Sequence, residues 1–143
     1  MSVEQILLNK GRNVVTIEPT KTLAQAAELL SSWKIGAVIV ADALQPVSGI
    51  ISERDIVRAI SNKGASALLE PVSMHMTRQV VTCTKRADIP RIMEIMTTSR
   101  IRHVPVVEEG TLIGIISIGD VVKHRLAEIE AETQAIKEYI ASA

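Results

Sequence analysis

The sequence predicts an α/β (α+β) fold made of two copies of one β-α-β-β-α unit, related by a pseudo-twofold axis and packed into one body, with an extended C-terminal helix. Three observations carry this. The stretch "GIISERD" (Gly49 to Asp55) returns as "GIISIGD" (Gly114 to Asp120), with the same glycine, isoleucines, serine and aspartate. Val14 to Val40 can be laid on the segment that starts at Val80, matching Val14-Val15-Thr16 with Val80-Val81-Thr82, Glu28 with Glu94, Ile35 with Ile101 and Val38 with Val104. A unit of about fifty residues buries too little surface to be stable alone, so the two copies are expected to cover each other's sheets.

The elements follow in order. Residues 1–13 form an N-terminal segment and residues 14–63 the first unit. Its opening strand is the β-branched run Val14 to Ile17. Thr22 and Gln25 have capping-box spacing, and Leu23, Ala26, Ala27 and Leu30 line one helix face. A hairpin follows, Ala37 to Ala41 with Val47 to Ile51. The last helix starts at Ser52-x-x-Asp55, takes Ile56, Val57 and Ile60 as its apolar face and stops at Gly64. Residues 64–77 are the crossover.

The second unit, residues 78–126, repeats the plan. Val80 to Cys83 is its opening strand. Asp88 caps a helix with Ile89, Ile92, Met93 and Met96 on one face. Pro90 is tolerated there because the first turn needs no amide donors. Val104 to Val107 pairs with Leu112 to Ser117. The one-residue slip between copies falls in "ADALQP" against "EEG", and turns absorb such changes. Residues 127–143 are a helical extension. Val122, Leu126, Ile129, Thr133, Ile136 and Ile140 are spaced alternately four and three apart, a short heptad-like seam expected to pack on a partner copy or back on the body.

Composition excludes several functions. Phe is absent and there is one Trp and one Tyr, so no set of aromatic base-stacking platforms exists. Sixteen basic and sixteen acidic residues cancel, which leaves no electrostatic footprint for nucleic acid or an anionic membrane. The single cysteine, Cys83, cannot form an internal disulfide and sits in an apolar run, as a structural thiol does. No run approaches the roughly 20 apolar residues of a membrane span, and the N-terminus lacks a leader pattern. The expected location is the cytoplasm. No phosphate-binding loop, nucleophile elbow or metal-ligand spacing is present, so no catalysis and no metal are expected. His75 reads as a solvated or hydrogen-bonded linker residue, and Trp33 as packing at a helix end.

The repeated unit with its Gly-apolar-apolar-Ser-x-x-Asp ending resembles the CBS domain, named after cystathionine β-synthase. "GIISERDIVRAI", "RIRHVPVVEEGTLIGIISIGDVVK" and "PVSMHMT" carry the resemblance, which covers about residues 14 to 126. Two in tandem resemble a Bateman module, and "ILLNKG" with the helical tail resembles small bacterial proteins made of a CBS pair and little else. The resemblance implies adenosine-containing ligands (AMP foremost, then ADP, ATP, S-adenosylmethionine or NAD(H)), a regulatory role sensing energy or redox state, and homodimers that form a flat four-domain disc.

Spacing alone makes each Ser-x-x-Asp a helix cap worth about 1 kcal/mol. The same carboxylate has two acceptor oxygens and can take hydrogen bonds from two ribose hydroxyls. The resemblance implies the second use. It also implies that the basic segment of one repeat faces the ribose aspartate of the other. The first expected crevice therefore has Ser52 and Asp55 for ribose, Arg54, Arg102 and His103 for phosphate, and Val81, Thr82 and Ile101 around adenine. The second has Ser117 and Asp120 with Thr16, Ile17, Ile35, Gly36 and Ala37. It keeps only Lys34 where the first has "RIRH", with Lys10 as a further cation in reach. Two unequal sites are expected. The alternative is a ligand-independent scaffold acting through its C-terminal helix. A nucleotide-hydrolysing enzyme is the third reading. The sequence does not name the regulated partner.

Overall fold

The computed structural model describes residues 2–11 and 14–142; Met1, Arg12 and Asn13 of the N-terminal segment and Ala143 of the C-terminal extension lie outside the described residues. The order is α1 (Val3–Lys10), β1 (Thr16–Ile17), α2 (Leu23–Trp33), β2 (Ala37–Val40), β3 (Gly49–Ser52), α3 (Glu53–Lys63), two 3-10 turns (Gly64–Leu69 and Val72–Met74), α4 (Ile89–Ser99), β4 (His103–Glu108), β5 (Thr111–Ser117) and α5 (Ile118–Ser142). One sheet is β1-β2-β3, with β1 parallel to β2 and β2 antiparallel to β3. The other is the antiparallel pair β4-β5.

The repeat is visible in the backbone. Thr22 caps α2 by accepting from the Gln25 amide, and Asp88 caps α4 by accepting from the Arg91 amide. Lys34 and Arg100 end those helices at φ 53° and 54°, two non-glycine residues in the same left-handed conformation at matched places. Ala37 pairs with Ser52, and His103 with Ser117. The two hairpin turns differ. Glu109 and Gly110, both at positive φ, make a two-residue turn of the kind that matches strand twist. In the first unit Asp42 instead holds the loop, accepting from the amides of Leu44 and Gln45.

Several expectations are corrected. Val80 to Cys83 is not a strand, and only Cys83 bridges Val106. The Cys83 amide donates to the Pro105 carbonyl and the Val107 amide donates to the Cys83 carbonyl. Pro105 has no N–H with which to carry the ladder back toward Val81. Ile39, its counterpart, has one, and β1 forms, though with two residues rather than four. Val47 and Ser48 belong to the hairpin loop, so the strand expected from Val47 begins at Gly49. Met93, Val57 and Ile60 are exposed rather than inward. In α3 the inward face is Asp55, Ile56 and Ala59.

Each half has its own apolar core rather than one shared core. The first joins Ile17, Leu23, Leu30, Val38, Val40, Ile51 and Ile56 with Ala67 and Val72 from the crossover. The second joins Ile89, Ile92, Val104, Val106, Ile116 and Val121 with Val3, Ile6 and Leu7. The N-terminal helix thus completes the second unit. Leu7 is packed so closely that a Cβ on Gly114 would lie 2.5 Å from its Cδ2. The seam residues of α5 do not pack back on the body: Val122, Leu126, Ile129, Ile136 and Ile140 are exposed.

Candidate functional site at the paired carboxylates

Both Ser-x-x-Asp segments sit where a strand turns into a helix. At the first, Oδ2 of Asp55 accepts from the amide and the hydroxyl of Ser52, both at 2.9 Å, while Ser52 Oγ accepts from the Asp55 amide at 3.3 Å. At the second, Oδ2 of Asp120 accepts from the amide and hydroxyl of Ser117 at 2.8 and 2.9 Å, and Ser117 Oγ accepts from the Asp120 amide at 3.2 Å. These are reciprocal caps. In each, one carboxylate oxygen holds the cap and Oδ1 takes no hydrogen bond from the described residues.

The two carboxylates differ in their cations. Asp55 is 8% exposed and has Arg58, one turn on, at 3.6 Å from Oδ1. Asp120 has Lys10 from α1, whose Nζ donates to Oδ2 at 2.6 Å and to the Ile115 carbonyl at 2.8 Å. Burial pushes the Asp120 carboxyl up, but the hydrogen bonds from Lys10 and Ser117 outweigh it and hold the group below the usual carboxylate range.

His103 lies between the units. A Cβ on Gly36 would be 3.3 Å from His103 Cε1, 3.4 Å from its Nε2 and 3.9 Å from Glu53 Oε1, so the bare glycine gives the ring its room. Burial, then Lys10, then Arg102 push the imidazole pKa down, against Asp120 and Glu53, which raise it. His103 thus stands by Gly36 of the second expected crevice and by Glu53 at its rim, within the field of the Asp120 charge. The ion pair that Asp55 makes is with Arg58, not with Arg102.

The other expected residues are placed as follows. Arg54, Arg102 and Lys34 are exposed, Arg102 giving its carbonyl to the Ile118 amide. The matching bond in the first unit runs from the Glu53 amide to the Gly36 carbonyl. Val81, Thr82 and Thr16 are exposed. Ile17 is buried in the first core, Ala37 is buried in β2, and Ile35 and Ile101 pack on the first and second cores respectively. Glu53 was not among the expected residues. Its departure from Ile118 at the matched place is the asymmetry that could have marked it. A groove of about 530 Å³ against β1 and α2 is lined by Thr16 and Ile17 of the second expected crevice together with Lys21, Glu28 and Trp33 among others; neither Asp55 nor Asp120 lines it. His75 lies 3.3 Å from Glu70, hydrogen-bonded in the crossover as expected. No helix among the described residues is long and apolar enough to cross a membrane.

Comparison with known proteins identifies the family and the fold. The CBS domain family matches residues 3–62 and 72–127. The crystal structure of the CBS-domain containing protein ATU1752 from Agrobacterium tumefaciens superposes with a TM-score of 0.85 at 50% identity, covering 87% of this chain and 99% of that one. The mitochondrial CBS domain-containing protein CBSX3 of Arabidopsis thaliana is 31% identical over 147 residues, covering 97% of this chain and 71% of the relative. The CBS domain pair of protein MJ0100, solved in complex with 5′-methylthioadenosine and S-adenosyl-L-methionine, shares the fold at a TM-score of 0.80 and 22% identity, covering 90% of this chain and 98% of that one. Two matched repeats, two like half-cores and two Ser-x-x-Asp caps identify the chain as a tandem pair of CBS domains and a member of the CBS domain family.

Proposed function

We propose that this CBS pair is a non-catalytic regulatory module in the cytoplasm that binds adenosine-containing ligands in two unequal crevices and passes energy or redox state to a partner protein. AMP is the leading ligand; ADP, ATP and NAD(H) share the adenosine moiety. The observation that carries the reading is the division of labour within each carboxylate. Oδ2 of Asp55 and of Asp120 is spent on the helix cap, and Oδ1, which in Asp55 has only the 3.6 Å ion pair with Arg58, remains to accept from ribose hydroxyls. The MJ0100 pair, with two adenosine compounds bound in the same fold, supports the ligand class.

The crevices differ in charge. In the first, Ser52 and Asp55 hold ribose, Arg54 and Arg102 are the phosphate cations, and the backbone at Val81 and Thr82 meets adenine. In the second, Ser117 and Asp120 hold ribose beside Thr16 and Gly36, and Lys10 bonds the aspartate directly. Lys10 is on Oδ2, so Oδ1 stays open to ribose while the Lys10 ammonium stands beside the carboxylate as the cation for phosphate. His103, beside Gly36, takes part at this boundary.

Thermal unfolding with AMP, ADP, ATP, NAD(H) and S-adenosylmethionine tests the reading. A ligand at a hundred times its Kd stabilises by about 2.7 kcal/mol when it binds only the folded state. If none of the five at millimolar concentration raises Tm, the ligand-binding reading is wrong. The ligand-independent scaffold would then stand, favoured by the exposed apolar seam of α5.

A further inference from the structure

The helix α5 runs for 25 residues, and among its side chains only Val121 is buried. Asp120, His124 and Glu128 are half-buried, and every residue from Ile129 to Ser142 is exposed. At about 100° per residue, Val121, His124 and Glu128 face the body, while the seam from Val122 to Ile140 points roughly 130° away from them. The body cannot cover that seam. A projecting helix of this length is marginal in water unless its apolar face is packed.

The charges beside the seam say what covers it. With Leu126, Thr133 and Ile140 at heptad position a, the d positions are Val122, Ile129 and Ile136. Positions g and e then carry Arg125 and Glu132, and Glu130 and Lys137. In a parallel, in-register bundle each g residue meets the e residue five places on in the next chain. That puts Arg125 against Glu130 of a second copy, and Glu132 against Lys137 of a second copy. Both are opposite-charge pairs. An antiparallel pair that buries the whole seam puts Glu130 against Glu130, Glu132 against Glu132 and Lys123 against Lys137. Sliding it by one heptad relieves the repulsion but uncovers two of the seam's apolar residues at one end.

We infer that α5 is a parallel self-association helix: copies of this chain join through the Val122 to Ile140 seam, in register, with their C-termini together. β-branched residues at all three d positions, with Leu126 at a, favour three or four strands over two. The inference is independent of the adenosine reading, since none of its residues belongs to either crevice.

Orientation is read by cross-linking the full-length chain carrying Cys83→Ala and Ile140→Cys in a glutathione redox buffer. A parallel seam brings position 140 of one copy against position 140 of another, so a disulfide-linked dimer forms and runs at twice the chain mass on a non-reducing gel. An antiparallel seam places Val122 opposite, and the chain stays monomeric on the gel, which overturns the inference. The charge pairs are read by sedimentation of otherwise native full-length chain. Glu132→Lys and Lys137→Glu each weaken association about tenfold or more, and the two together restore it. Effects of the two that simply add overturn the inference. Ile136→Glu, at a side chain exposed in the single chain, leaves the fold intact and lowers the oligomer mass; an unchanged mass overturns it as well.

Discussion

Replacing Asp55 by asparagine separates the two uses of the first carboxylate. Oδ2 accepts from the Ser52 amide and hydroxyl at 2.9 Å each. An asparagine whose carbonyl oxygen takes that place keeps both contacts, and its NH2 group then stands where Oδ1 stood. The cap loses only its charge assistance, about 0.5–1 kcal/mol. The crevice loses an anionic acceptor and gains a donor. Two ribose hydroxyls bonded to a carboxylate at about 1.5 kcal/mol each amount to about 3 kcal/mol, or roughly 150-fold in Kd. Hydroxyls that turn to accept from the new NH2 group recover part of this, which sets a lower bound of about tenfold. Titration calorimetry with AMP reads the affinity, and urea unfolding at pH 7 reads the cap. A variant that folds with near-native stability and binds AMP as tightly as the native chain refutes the ribose role of Asp55.

Four further outcomes follow from the geometry. Lys10→Met removes the 2.6 Å ion pair to Asp120; because both side chains are partly solvated the loss is about 1 kcal/mol at pH 7 by urea unfolding. Asp120 has a lowered carboxyl pKa, so its contribution is present above the ordinary carboxylate range and is lost as pH falls through the lowered value; the gap between native chain and variant therefore closes in acid. His103 has a lowered pKa, so as pH falls below its ordinary 6.5 the unfolded chain takes the proton first and stability declines; His103→Gln flattens that decline, and an equal slope in both proteins contradicts the placement of the ring. Gly114→Ala drives a methyl to 2.5 Å from Leu7 Cδ2 and costs about 1–3 kcal/mol by thermal unfolding, a cost that falls in a Leu7→Ala background. The Cys83 thiol is pushed up to about 11 by burial and then by Glu108, so it reacts slowly with a disulfide reagent at pH 8 and quickly once the chain is unfolded in guanidinium; fast reaction of the native chain contradicts the burial.

The repeat is legible because it is written in turn and cap chemistry. Thr22 with Gln25, Asp88, and Ser52 and Ser117 with their aspartates each mark a helix start, and all four are where the spacing puts them. Strand length is less legible, because it depends on the neighbour: Pro105 withholds the donor that Val81 would need, and nothing in Val80 to Cys83 itself shows this. The apolar face of α3 is misread at Val57 and Ile60 because Asp55 takes an inward position and a periodicity count passes over a buried carboxylate. The N-terminal helix is far in sequence from the core it completes, so its role at Leu7 appears only when Gly114 is set against it. The carboxylates of the candidate site are legible from their repetition. Their surroundings are less so, since His103 beside Gly36 and Lys10 on Asp120 are contacts between segments distant in the chain.

We propose that the module holds adenosine-containing ligands at two unequal places. Native mass spectrometry of the full-length chain, first as purified and then titrated with AMP, tests it most directly. The expected result is up to two adenosine-containing molecules per chain, filling at different concentrations, with Asp55→Asn and Asp120→Asn each removing a different one. A chain that arrives empty and stays empty at millimolar AMP, ATP and NAD(H) contradicts it.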